Sequence, residues 1–322
     1  MHRRGMLQLA GAAAALAALG AAAESFPTKP IRVLVGYPPG GTSDLQIRAL
    51  QEPLQRLLGQ PVVVENRVGA AGGIATNQVA KSAPDGYTLL LPTNIFVIAP
   101  NLSRDVGFDP LHDFEPISLT SLSPLVVMVN SQVPVRSISE LIAFGKKNPG
   151  VLEFGSAGSS SFGRMATELF ARRAGIQLVH VPYQGVAPST AALASGEIKL
   201  LISTISPPLA AFEKSGKIRI LGVASDKPST LLSDKPLVSE TLPGFVTEVW
   251  SGLVAPKGTP KEVIGRLRSA VVTALQMPEV RERYATIGLV PTSSSPGEFD
   301  SRLVRESAEW ATLIREANIK AE

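Results

Sequence analysis

The sequence predicts an α/β protein of two lobes, each a mostly parallel sheet flanked by helices. Short runs rich in Val, Ile and Leu alternate with helix-period stretches, and this alternation breaks off near residue 93 and restarts near 124. A chain of 322 residues is also long for one domain. Strand, helix, strand repetition implies right-handed crossovers, and so a parallel sheet in each series.

Taken in order, IRVLVGY (31–37) is the first strand. Ser43 and Gln46 have the spacing of a capping box, and Ile47, Leu50, Leu54 and Leu57 recur at three and four residues, marking one buried helical face. Pro53 stands inside this helix, where it should kink it or cost about 3 kcal/mol. VVVEN (62–66) is the second strand, GAAGGIATNQVAKSA (69–83) a glycine-opened helix, Asp85-Gly86 a turn and YTLLLP (87–92) the third strand. Residues 93–122 read as irregular.

The second series opens with PLVVMVN (124–130) and a helix from Ser137 to Lys147. VLEFG (151–155), LVHVP (178–182), IKLLIS (198–203) and IRILGVAS (218–225) are its further strands, with helices at 161–174, 187–195 and 207–215 between them. The helix at 161–174 ends in Arg172-Arg173 and Gly175, cations in the last turn and then a left-handed cap. Residues 226–249, rich in Pro, Ser and Leu, read as a connector. From VWSGLVAP (249–256) onward the chain is mainly helical. Thr259-Pro260 is an N-cap with proline at N1, a short helix follows Pro278, LVPTS (289–293) is a strand, and Ser295 with Glu298 forms a capping box for a helix to Ala317. A helical tail with no sheet of its own must pack on an existing one, so residues 24–122 with 250–322 are expected to make one lobe and 123–249 the other.

Arg3 and Arg4, the apolar stretch Met6–Leu19 and Ala21-Ala22-Ala23 predict a signal peptide, residues 1–23, cleaved near Ala23/Glu24, with export to the periplasm by the Sec or the Tat route. Without Arg3 and Arg4 the net charge falls from +4 to +2, with the charges scattered, which argues against a nucleic-acid surface. Cysteine is absent, so disulfides and thiolate metal sites are excluded.

The loop GYPPGGTSD (36–44) has Gly36 and Gly41 at phosphate-loop spacing, but Thr42 and Ser43 stand where such a loop needs Lys and then Ser/Thr. GSAGSSSFGR (155–164) repeats its character: glycines and hydroxyls between a strand and a helix, and GAAGG (69–73) offers the same. Helix starts leave N–H donors and a partial positive charge, so an anion can be held there without lysine. Two such loops, one in each series and both at carboxyl ends of parallel strands, favour a binding cleft over ordinary turns. Enzyme readings lack a base. His180 alternates within LVHVP as a packed strand residue would, His112 has no partner motif, and neither G-x-S-x-G nor H-E-x-x-H occurs. Trp250 and Trp310 read as core or hinge packing. No cofactor is implied.

YPPGGTSD, PVVVENRVGAAGG, SAPDGYTLL, GSAGSSS with a helix containing ELF, HVPYQGVAP, GLVAPKGTP and a C-terminal helix with Trp follow one another along the chain from residue 37 onward. In this order and spacing the sequence resembles the solute receptors of tripartite tricarboxylate transporters, often called Bug proteins. The resemblance implies a periplasmic binding protein of the two-lobed type II fold, acting as a monomer with membrane permease subunits as partners. It also implies a small organic acid held between the lobes by the two loops, partly through ordered waters. Carried onto this chain, the first loop supplies Tyr37, Pro38, Gly40, Gly41, Thr42 and Asp44, and the second Ser156, Ala157, Ser159, Ser160 and Ser161. Two positions depart from the family pattern. Arg164 replaces a histidine, and Ser203 and Thr204 stand where many members have an acid that can meet a ligand ammonium. A ligand without an ammonium is therefore expected, an aliphatic dicarboxylate, a hydroxy acid or an aromatic acid, with Arg164 available to a second carboxylate and Asp44 serving as a cap. A sensory subunit presenting its ligand to a receptor kinase would use the same pocket, and a periplasmic hydrolase is the remaining alternative.

Overall fold

The computed structural model describes residues 26–317 and 319, except 104, 159, 160 and 229–231. The first series comprises β1 (Ile31–Val35), α1 (Thr42–Leu58), β2 (Val62–Asn66), a one-turn 3-10 segment (Ala70–Gly72), α2 (Gly73–Ala80), β3 (Thr88–Leu91) and α3 (Ile95–Leu102). β4 (Phe114–Asn130), α4 (Ile138–Lys147), β5 (Leu152–Ser156), α5 (Phe162–Ala174), β6 (Leu178–Pro182), α6 (Val186–Ser195), β7 (Leu200–Thr204), α7 (Pro207–Lys214) and β8 (Ile218–Val223) follow. The chain ends with β9 (Glu248–Pro256), α8 (Lys261–Gln276), α9 (Pro278–Thr286), β10 (Val290–Pro291) and α10 (Pro296–Glu316).

Strand order is β2-β1-β3-β9-β4 in one half and β6-β5-β7-β4-β8 in the other, with β10 also on β4. β1 is parallel to β2 and β3, and β5 to β6 and β7. In the first half β9 runs against β3 and β4, and β10 against β4; in the second β4 runs against β7 and β8. This is the mixed two-lobed α/β architecture that the sequence predicts. β4 belongs to both halves. Phe114 to Pro124 pair with β9, whereas Leu125 to Asn130 pair with β7 and β8. At the change of partners, Leu125 N–H donates to Thr247 C=O, Ala224 N–H to Leu125 C=O and Thr247 N–H to Ala224 C=O, so three chain segments meet at one backbone junction.

Helices cover both faces. α1 lays Ile47, Leu50 and Leu54 against Leu267, Val271 and Leu275 of α8 and the outer side of β1. On the opposite face a single apolar cluster runs through both halves, from Leu34, Phe96 and Trp250 to Phe154, Met165 and Phe170, with α10 contributing Phe299, Leu303 and Trp310. Fully burying side chains of this size is worth about 1.5–3 kcal/mol each, and here their continuity ties the two halves together.

Several sequence expectations change. Residues 93–122 are not irregular, because they hold α3 and the first nine residues of β4. The capping box at Ser43 does not form: Gly41 caps α1 without a side-chain bond, and Gln46 is buried, donating to Thr120 Oγ1 at 2.6 Å. Pro53 lies within an α1 that continues to Leu58. Thr259 is no cap either. α8 starts at Lys261, and the Thr259 hydroxyl donates to Pro256 C=O. VWSGLVAP lies in β9, a strand the sequence reading did not assign. The left-handed cap at Gly175 and the box of Ser295 and Glu298 form as expected, and Ser137 and Ser161 also cap their helices. The signal segment 1–23 lies outside the described residues.

Candidate functional site

The loop after β1 approaches the 69–73 loop so closely that a Cβ on Gly36 would stand 2.5 Å from Gly72 Cα. Gly40, with φ +78°, turns the chain back toward α1. Asp44 holds this turn together. Although it is almost wholly buried, its carboxylate accepts from Gly40 N–H at 2.9 Å, Arg48 Nε at 2.9 Å and Asn66 Nδ2 at 3.0 Å. Burial alone would raise its pKa, but the bonds from Arg48, Gly40 and Asn66 outweigh that and hold the carboxyl below its ordinary range. Asn66 also donates to Tyr37 C=O, and the half-buried Tyr37 places its hydroxyl 2.7 Å from Thr93 Oγ1. Burial raises the Tyr37 phenol pKa. Pro38, Gly40 and Thr42 are exposed and Gly41 is half-buried, so the loop presents mainly backbone and one hydroxyl. Asp44 is thus a loop brace, bonded upstream to Gly40, rather than a helix cap.

The loop after β5 is held by a hydroxyl. Ser156 Oγ lies 2.9 Å from Gly158 C=O, 3.3 Å from Gly158 N and 2.7 Å from His180 Nε2. One hydroxyl has one proton. Donating it to Gly158 C=O, and accepting from Gly158 N–H and His180 Nε2–H, is the arrangement that leaves no two acceptors facing each other. It fixes a proton on His180 Nε2. β6 brings His180 there because His180 pairs with Phe154 across β5, where the rings lie 4.9 Å apart. The sequence reading had placed His180 in ordinary strand packing; its alternation with Leu178 in the strand beside β5 was the available signal. Ser161 caps α5 by accepting from Arg164 N–H. Ser159 and Ser160 lie outside the described residues.

Ser156, Ala157, Ser161, Ser203 and Thr204 come together around a cavity of about 180 Å3, completed by Leu125, Phe162, Val186 and Val249. Gly36, Tyr37 and Thr93 line a separate hollow of about 20 Å3 beside Gly72. Arg164 is not among the lining residues of the larger cavity, and its Nε stands 3.9 Å from Glu168 on the next turn of α5. Burial pushes the Glu168 carboxyl up and Arg164 opposes that shift. Trp250 is fully buried, as the sequence reading expects, and donates from Nε1 to Glu306 at 2.7 Å, while Trp310 packs edge-on to Phe162. Among the described residues no group of three or more His, Cys, Asp or Glu side chains could hold a metal ion.

Residues 46–319 match the family model of the tripartite tricarboxylate transporter family receptor. This chain belongs to that family. The receptor is 35% identical to Protein BugT of Bordetella pertussis over 99% of each chain. Among solved structures, a R. palustris protein with adipate is 32% identical with a TM-score of 0.74, covering 92% of this chain and 99% of its own. MatC from Rhodopseudomonas palustris with bound malate is 28% identical with a TM-score of 0.71, covering 90% of the receptor and 100% of its own chain. The family is one of receptors, and its solved neighbours include periplasmic and solute binding proteins rather than enzymes.

Proposed function

We propose that this receptor captures a small organic acid in the periplasm, closes its two lobes on the carboxylate and delivers it to the permease subunits of a tripartite transporter. The observation that carries this reading is the pairing of two lysine-free, glycine- and hydroxyl-rich loops. Each follows a parallel strand and opens a helix, α1 or α5, whose N-terminal N–H groups favour an anion. The adipate and malate of the related structures support the ligand class. The lobes are taken to divide near 123 and 249, a division supported by the change of strand partners between Pro124 and Leu125. Residues 1–23 serve as the export signal, and the protein acts as a monomer.

Ligand contacts are assigned to Tyr37, Pro38, Gly40, Gly41 and Thr42 on one side and to Ala157, Ser159, Ser160, Ser161, Ser203 and Thr204 on the other. Asp44 and Ser156 shape the loops that carry them. Among the described residues the lining of this pocket includes no carboxylate to offset a buried ammonium, whose desolvation would cost several kcal/mol, so an acid without an ammonium is favoured over an amino acid. Small-angle scattering with saturating succinate or adipate is expected to show compaction, together with a raised melting temperature. A radius of gyration unchanged at saturation would rule out lobe closure.

A further inference from the structure

Resting on the carboxylate reading above, we infer that the cavity beside α5 takes the apolar body of the ligand, so that the receptor selects acids whose chain or ring carries no hydroxyl between its ends. Its walls are Leu125, Phe162, Val186, Leu201, Ile202 and Val249. The hydroxyls among them are largely committed. Ser156 gives its proton to Gly158 C=O and receives two N–H groups. Ser189 donates to backbone carbonyls of Gly185 and Val186 one turn back. Ser161 accepts from Arg164 N–H as the cap of α5.

Three described hydroxyls keep a proton to give: that of Ser161 at the start of α5 and those of Ser203 and Thr204, consecutive residues at the carboxyl end of β7. They can meet the polar ends of a ligand. A hydroxyl in the middle of the ligand would face aliphatic side chains and lose its water without gaining a partner, which disfavours it relative to the same acid with hydrogen there. The position that could reverse this is Val186. It stands at the first residue of α6, 43% exposed, on the rim of the cavity, where threonine has nearly the same shape and adds one hydroxyl.

Matched pairs test this directly: calorimetric titration of the purified receptor with succinate against malate, which adds one hydroxyl, and with benzoate against 4-hydroxybenzoate, with adipate alongside. The unsubstituted member of a pair is expected to bind at least tenfold more tightly, and Val186→Thr to narrow that gap while leaving the melting temperature unchanged. Malate binding as tightly as succinate, or the hydroxylated ring as tightly as benzoate, overturns this inference and leaves the carboxylate reading standing. Binding of none of the five acids overturns both.

Discussion

In the loop after β1 the anchoring group is a buried carboxylate, and in the loop after β5 it is a hydroxyl held by an imidazole. Both bind a glycine N–H of their own loop, Gly40 in one case and Gly158 in the other, and both are tied to a neighbouring strand, by Asn66 of β2 or His180 of β6. The chemistry differs because the two places differ. At the start of α1 a carboxylate would repel an incoming anion, and Arg48 one turn along the helix offsets its charge. The second loop has no such charge to offset and uses a neutral brace, leaving its cavity apolar. A brace is thus built twice from different parts.

Removing the charged brace should have the larger effect. Asp44→Ala removes the carboxylate that accepts from Gly40 N–H, Asn66 and Arg48 together, and should lower the unfolding free energy by about 2–3 kcal/mol. Urea denaturation measures it. A midpoint equal to that of the parent protein would show that the loop holds without Asp44.

Acid should separate the two braces. Asp44 has a folded-state pKa below its unfolded value, so its stabilisation is complete above the unfolded value near 4 and is lost as pH falls through the folded one. Thermal melts from pH 5 to pH 2 should therefore show a steeper decline for the parent than for Asp44→Asn. Parallel curves for the two proteins would assign the acid sensitivity elsewhere.

The neutral brace is the smaller term. Ser156→Ala should cost about 1 kcal/mol of stability, and ligand affinity should fall only through a looser loop. His180→Gln, which keeps an N–H donor, should retain most of the affinity for whichever test acid binds, whereas His180→Phe, which keeps the ring against Phe154, should not. Equal affinities for the two His180 variants would remove the imidazole from the binding machinery.

How far the sequence could be read follows the same contrast. Ile47, Leu50 and Leu54 announced their helix because their periodicity is local, as did the box of Ser295 and Glu298. The first part of β4 did not, because its buried Ser118, Thr120 and Ser121 look like loop residues until their partners are known. Ser118 bonds to Ser294, 176 positions away, and Thr120 to Gln46, 74 away. The site shows the same limit. Its glycines and hydroxyls were visible, but Asp44 as a brace needs Asn66 and Ser156 as a saturated hydroxyl needs His180, and both partners come from other strands.

The position of β9 governs the order in which the molecule can be built. β9 lies between β3 and β4, so the sheet of the first half stays in two pieces until residues 248–256 have been made and inserted. The strands of the second half all lie within Leu125–Val223 and can associate earlier. During synthesis from the N-terminus, the half begun first is finished last, and β3 waits with one edge unpaired for a segment about 160 residues downstream, a long-range closure of the kind that slows folding.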